Sequence, residues 1–144
     1  MTESFQNLEQ ARAAMRWRVA PGRFVLAGFP EPATPEDWEA VGETGQLVRE
    51  GGETTLLIES AGLDELRRRH PEACAEEDLA WVRFEGAMEW ELVGFLALVT
   101  GELAAAGVPL GAICGYSRDH LFVAERFLPA TREVLERLFG PESA

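Results

Sequence analysis

The residue types that could do chemistry crowd into one stretch, Cys114-Gly115-Tyr116-Ser117-Arg118-Asp119-His120-Leu121-Phe122-Val123. Cys114 and His120 are the pair a thiol hydrolase would use, because a thiolate attacks readily once a nearby imidazole has taken its proton. With a turn at Ser117-Arg118 the two lie close in sequence, but their faces need not match and no oxyanion-hole loop accompanies them. A small buried cysteine in a strand is the commoner role for Cys114. His70 and His120 are the only histidines, and neither stands at i, i+4 or C-x-x-C spacing from another ligand, so no metal site and no cofactor is expected. Asp119 could accept hydrogen bonds from an ammonium or guanidinium group, or hold the turn through its own side chain. His120 is read as a partly buried strand histidine and His70, before Pro71, as a helix-end residue. The pattern points to binding before catalysis.

The elements that must position these residues run β-α-β-β-α from Trp81 to Leu138. Leu79 to Glu85 alternates Leu79, Trp81 and Arg83 against Ala80, Val82 and Phe84, the signature of a strand. Leu92, Phe95, Leu96, Val99 and Leu103 form a helical stripe that stops at Gly107 and Pro109. Leu110 to Gly115 and Asp119 to Ala124 are two strands about the Ser117-Arg118 turn. A last helix begins near Pro129, ends at Gly140-Pro141 and gains i, i+4 support from Arg132 with Glu136 and Glu133 with Arg137.

Upstream, Phe5, Leu8, Ala11, Arg12 and Met15 suggest a short helix before Trp17, and Arg23 to Phe29 a buried strand after the Pro21-Gly22 turn. Residues 30 to 45 form the main loop, with one helical turn at Glu36 to Ala40 tucking Trp38 inward. Gln46 to Arg49 and Thr54 to Glu59 flank Gly51-Gly52 as a hairpin. Leu63, Leu66 and Arg67-Arg68-Arg69 make a short helix, its arginines read as a favourable C-terminal charge run instead of an anion site. The C-terminal half lacks one strand of a β-α-β-β-α-β unit, and a strand near Trp17 or Phe24 is predicted to complete it, so the halves should not fold separately.

Composition limits the function. At 144 residues the chain can build a core without staples, and two cysteines, Cys74 and Cys114, are too few for a disulfide framework. A net charge of −12 disfavours nucleic acid and anionic membrane surfaces. Met1 to Gln10 has no apolar core behind a basic start, so no secretory signal is expected and the cytoplasm is the expected compartment. The longest apolar run, Leu92 to Val99, is far short of the ~20 residues a membrane span needs.

Several segments resemble the small bacterial tandem ACT-domain proteins, a family related to the ACT repeats of aspartate kinases and of animal cytosolic arginine sensors. Trp81 to Glu91 resembles the family's first strand and the loop entering its helix, Val93-Gly94 its valine-glycine at the helix start, and Leu103 to Pro109 its helix exit. Gly115-Tyr116, Asp119-His120 and Leu121-Phe122-Val123 resemble its hairpin. In the first half, Pro21-Gly22-Arg23-Phe24-Val25 and Arg49-Glu50 with Thr55-Leu56-Leu57 are similar to further segments. The chain departs at Arg118, where close relatives carry histidine and distant ones threonine, and at Cys114, where distant ones carry serine.

The resemblance implies an α+β protein of two intertwined ferredoxin-like (βαββαβ) ACT units, with antiparallel sheets and helices on one face. An N-terminal half, 1–75, is led by a helix or strand within 1–20, and a C-terminal ACT domain covers 76–144. An amino-acid-sized pocket is expected between units or subunits. Its expected residues are Gly86, Ala87, Met88, Glu89, Trp90, Glu91 and Gly94 on the helix entrance, with Tyr116, Arg118 and Asp119 on the hairpin. Backbone N–H groups at a helix start near Glu91 could hold a carboxylate, and Gly86 and Gly94 would permit close approach. Glu89 and Glu91 favour a cationic ligand and Arg118 the opposite, so the preferred side-chain charge stays open. Trp17, Trp38, Trp81 and Trp90 are core or interface anchors, with Trp90 a candidate pocket wall. The expected function is a non-catalytic sensor or regulatory protein that binds an amino acid or similar metabolite as a homodimer. The alternative is a ligand-free subunit docking an enzyme of amino-acid metabolism, and behind it a cysteine-dependent enzyme.

Overall fold

The structure, a computed structural model, describes residues 4–144; residues 1–3, the start of the segment expected to lack a signal and to lead the N-terminal half, lie outside them. In chain order the elements are β1 (Ser4–Phe5), α1 (Leu8–Ala14), β2 (Trp17–Val19), β3 (Phe24–Phe29), α2 (Pro35–Val41), β4 (Gln46–Glu50), β5 (Glu53–Glu59), α3 (Leu63–Arg69), β6 (Cys74–Phe84), β7 (Ala87–Met88), α4 (Phe95–Ala105), β8 (Gly111–Cys114), β9 (Asp119–Ala124) and α5 (Leu128–Phe139). Single 3-10 turns, Ser60–Gly62 and Glu125–Phe127, lead into α3 and α5. The chain divides into two compact units, Gly22–Leu79 and the segment ending at Pro21 together with Ala80–Ala144.

In the Gly22–Leu79 unit the order of elements is β3-α2-β4-β5-α3 and then the first part of β6, and the strands lie side by side as β4-β5-β3-β6. That is the ferredoxin-like β-α-β-β-α-β arrangement, its first strand flanked by its third and fourth. The Gly51-Gly52 hairpin pairs Glu50 with Glu53, and Gly52 alone takes the left-handed backbone, φ +97°. The segment 30–45 holds a full helix, because Thr34 and Asp37 close a reciprocal capping box and Pro35 fits the first turn, which needs no N–H from it. Trp38 on this helix is 61% exposed and not tucked inward; the buried side chain is Asp37. Val25, Ala27, Phe29, Leu56, Ile58, Leu63 and Leu66 make the core. Strand β6 begins at Cys74, five residues before its expected start at Leu79, because Gly28, Ala27 and Leu26 pair with Cys74, Ala75 and Glu76. The register then shifts by a bulge, where Asp78 takes φ +54°.

Arg69 and His70 converge on Asp37. The guanidinium donates to Asp37 Oδ1 at 2.8 Å, His70 Nε2 lies 2.9 Å from Oδ2, and the Thr34 amide donates to the same oxygen at 2.8 Å. The His70 ring stacks on Phe29 at 3.7 Å. Arg67 pairs with Glu77 and Arg68 with Glu65, so the arginine run is matched by carboxylates as a helix end.

The second unit repeats the scheme with one rearrangement. From Ala80 it runs β6-α4-β8-β9-α5, and the strand missing at the end is supplied from the front of the chain. Here β2 lies antiparallel to β6, Trp17 opposite Phe84 and Val19 opposite Val82, giving the order β2-β6-β9-β8. This is the strand expected near Trp17. Ala80, Val82 and Phe84 on β6 and Leu121 and Val123 on β9 face α1, α4 and α5 across a core that also takes Trp17, Phe95, Val99, Leu103 and Leu135. Trp81, with the Arg83 guanidinium 4.9 Å over its ring, and His120 occupy the other face.

The outer edge of β2 is closed by the residues after α5. Ser143 N–H donates to Trp17 O at 2.8 Å, Val19 N–H to Glu142 Oε1 at 2.9 Å, and Trp17 Nε1–H to Gly140 O at 2.9 Å. Arg132 serves this tail, reaching Glu142 at 2.9 Å, and Arg137 pairs with Glu102 of α4 at 3.0 Å. The i, i+4 pairs expected on α5 are not made, since carboxylates on other segments offer these arginines a partner.

Candidate functional site

After Phe84 the chain makes a short strand that the alternation rule passed over. Ala87 and Met88 (β7) pair in parallel with Ser4 and Phe5 (β1), and Glu89 N–H continues the ladder to Phe5 O at 2.9 Å. On the other side Met88 N–H donates to Ser117 O at 2.8 Å, which fastens β7 to the tip of the β8–β9 hairpin. Two residues carry too little pattern to be read as a strand; their partners are remote in sequence.

The hairpin register puts Cys114 opposite Asp119 and Ile113 opposite His120. Gly115 N–H donates to Arg118 O at 2.9 Å, so the loop is Tyr116-Ser117, one residue earlier than expected. Cross-strand partners share a face, so Cys114 and Asp119 point one way and His120 the other. The thiol and the imidazole are therefore not a nucleophile and base. Cys114 is also exposed, unlike the buried strand cysteine expected there.

Helix α4 starts at Phe95, not near Glu91. Glu89 and Leu92 close a turn, and Gly94 adopts φ +97°, a conformation that ends the turn and starts the helix with no side-chain cap. The amides of Phe95, Leu96 and Ala97 thus reach the helix end uncapped, where backbone dipoles favour negative charge.

These pieces enclose a cleft of about 330 Å³ lined by Met88, Glu89, Trp90, Leu92, Gly94, Phe95, Leu96 and Ala97 from one side and Cys114, Gly115, Tyr116, Ser117, Arg118 and Asp119 from the other. It brings together Met88, Glu89, Trp90, Gly94, Tyr116, Arg118 and Asp119 of the expected residues. Gly86, Ala87 and Glu91 do not line it. Gly86 serves packing: a Cβ there would run into the buried Phe5 ring, so its backbone makes room for a side chain and not for a ligand. The lining residues Leu92, Phe95, Leu96 and Cys114 escaped the sequence reading because a core stripe and a strand accounted for them; the Cys114-Asp119 register was the signal that would have added the cysteine.

The charges of the cleft are few. Asp119 is half-buried, and burial pushes its carboxyl above the usual carboxylate range, against a smaller lowering by the Cys114 thiol. Arg118 borders the cleft but, paired across the turn with Gly115, turns its side chain to the face of His120 and not to that of Asp119. Glu89 is exposed at the rim and accepts from Ser4 Oγ at 2.8 Å. On the far face of β9, burial first, and then Arg118 and Arg83, hold His120 below its ordinary value. Trp81 Nε1–H donates to His120 Nδ1 at 3.2 Å, which selects the neutral ring protonated on Nε2. Around the mouth, Trp90 (84%), Val93 (82%) and Tyr116 (101%) are exposed.

No protein-family model matches the chain, and no curated protein matches its sequence. Solved structures do. A protein from Agobacterium tumefaciens superposes with a TM-score of 0.70 at 18% identity, over 90% of this chain and 91% of that one. The regulatory subunit of aspartate kinase from Thermus thermophilus, in its ligand-free form, gives 0.62 at 12%, over 85% and 96%. That from Thermus flavus gives 0.61 at 13%, over 88% and 99%. At these identities the likeness establishes the fold alone, an α+β arrangement of ferredoxin-like units. No helix of the described residues is long and apolar enough to cross a membrane.

Proposed function

We propose that this is a tandem ACT-type regulatory protein that binds an amino acid or similar small metabolite in the cleft between the start of α4 and the β8–β9 hairpin, and that it performs no catalysis. The observation that carries the reading is the convergence on one small cavity of uncapped helix amides and a half-buried Asp119. Those groups complement a carboxylate and an ammonium on the same molecule. The fold shared with aspartate kinase regulatory subunits supports a regulatory role, and no metal or cofactor is invoked. The proposed protein is cytoplasmic and homodimeric, and interacts with neither nucleic acid nor membrane.

A thermal-melt panel against the proteinogenic amino acids tests this. A ligand present at about 100 times its Kd stabilises by about 2.7 kcal/mol, a shift on the order of 5 to 10 °C for a chain of this size. A selective shift, with Trp90 fluorescence changing in step, supports the reading; a flat panel rejects it. The second reading, a ligand-free subunit that docks an enzyme of amino-acid metabolism, draws on the exposed Trp90, Val93 and Tyr116 around the mouth. A flat panel followed by capture of such an enzyme through this surface would favour it.

A further inference from the structure

We infer that the sheet face turned away from α1, α4 and α5 carries a second site, in which Arg83, Arg118 and the His120 Nε2–H hold a phosphate group, free or as the ester of a small ligand. The site uses side chains on the other face from Asp119, and it stands or falls apart from the amino-acid reading of the cleft. Alternation along β6 sets Trp81 and Arg83 opposite the core residues Ala80, Val82 and Phe84, and Arg118, across the turn from Gly115, joins His120 on the same side. The Arg83 guanidinium lies 4.9 Å over the Trp81 ring, and its Nε–H is buried with no acceptor. A buried charged donor without an acceptor is costly, and an anion beside the guanidinium offsets that cost. Among the described residues neither Arg83 nor Arg118 meets a carboxylate; Glu85, just past β6, is taken by Arg18 at 2.6 Å. Trp81 Nε1–H occupies His120 Nδ1, so the neutral ring keeps its proton on Nε2. That N–H has no protein acceptor among the described residues, and Gly115, whose Cβ would stand 3.2 Å from Nε2, leaves room at this edge of the ring.

The donors fix the chemical class. Two guanidinium charges and one neutral N–H match a phosphate group, which carries a charge of about −1.5 to −2 at neutral pH and three acceptor oxygens. A carboxylate brings half that charge and two oxygens, and leaves a guanidinium unmatched. The net charge of −12 repels any anion from a distance, so occupancy depends on these local donors and not on a general field. Burial first, then Arg118 and Arg83, hold His120 below its ordinary value, so both guanidiniums are near enough to act on the ring. A bound dianion reverses the sign of that influence.

The test is NMR of the His120 ring in the full chain, titrated with inorganic phosphate, methyl phosphate, sulfate and acetate against sodium chloride at equal ionic strength. The ring is identified by the loss of its signals in His120→Gln. The expected result is a saturable change with phosphate and sulfate, at affinities at least about tenfold tighter than with acetate. Under saturating sulfate, a dianion at every pH used, the ring should take its proton at a proton concentration about tenfold lower than in chloride. Arg118→Gln and Arg83→Gln should each weaken phosphate binding by about tenfold or more. Methyl phosphate binding at least as tightly as inorganic phosphate supports the site and assigns it to a phosphate ester; exclusion of methyl phosphate supports it and assigns it to free phosphate. Acetate binding as tightly as phosphate overturns the phosphate class. A response no different from that to chloride, or one that survives in the Arg83→Gln, Arg118→Gln double variant, overturns the site.

Discussion

Cys114 and Asp119 face each other as the last register pair of the β8–β9 hairpin, thiol against carboxyl, with the half-buried acid held above its ordinary range. An acid whose folded pKa is raised is better tolerated protonated, so its charge weakens the fold once the pH has risen through that pKa. Asp119→Asn should therefore leave stability at neutral pH unchanged within about 0.5 kcal/mol, or slightly higher, while weakening ligand binding. Urea melts at pH 7 alongside titration check this. An Asp119→Asn protein that loses stability and affinity together would return Asp119 to the role of turn holder.

Binding itself should carry the same titration. An ammonium is held by the ionised carboxylate, so affinity should fall as the pH drops through the raised pKa of Asp119, and this dependence should vanish in Asp119→Asn at its lower affinity. A series of titrations between pH 4 and 8 reads it directly; a flat profile for the parent protein would show that Asp119 makes no charged contact.

His120 should remain neutral below the pH at which a free histidine protonates. Its folded pKa is depressed, so its contribution to stability is present above the unfolded value and is lost as the pH falls from there through the depressed folded one. Nitrogen-15 NMR should show the ring protonated on Nε2 with Nδ1 accepting from Trp81. A charged ring at pH 6.5 contradicts this geometry.

Asp37 works in the opposite sense. Burial alone would raise its carboxyl, but the Thr34 amide, Arg69 and His70 outweigh that and hold it low. Its stabilisation is present above the unfolded carboxylate pKa and lost as the pH falls through the depressed one. Asp37→Ala strands Arg69 and His70, and should cost about 3 to 5 kcal/mol at pH 7, with the gap to the parent narrowing in acid. Denaturant midpoints at pH 7 and pH 3 measure it, and an equal gap at both would place the stabilisation outside the ion cluster.

Gly86 is the expected site residue whose role the structure reassigns. Gly86→Ala would overlap the Phe5 ring, including Cδ2 at 2.9 Å, and should cost about 1 to 3 kcal/mol. Gly86→Ala with parental stability and weakened ligand binding would restore it to the site.

What the sequence made legible follows from the range of the interactions involved. The α4 stripe, the Gly51-Gly52 hairpin and the pairing of β8 with β9 are signalled by neighbours, and each forms where expected to within a few residues. The strand near Trp17 was legible only by counting what the C-terminal half lacked. The pairing of β1 with β7 depends on residues more than eighty positions apart, Ser4 with Ala87, and left no trace in local pattern. Trp38 was misread because a large apolar side chain was assumed to turn inward, whereas Asp37, capping its own helix and held by Arg69, took the interior position. At the site, the helix start was placed near Glu91 because the apolar stripe begins at Leu92; the positive φ of Gly94, which delays the helix to Phe95, has no signature in hydrophobicity.

The short tail after α5 is the hem of the sheet. Ser143 and Glu142 occupy the backbone groups of β2 that another strand would otherwise claim, and Gly140 holds the Trp17 indole in the core. Loss of the contacts made by residues 140–143 would leave the helices intact and yet fray the fabric, converting a finished border into one that recruits strands from other molecules. Clumping after that loss would report a lost seam, not a poorly folded protein.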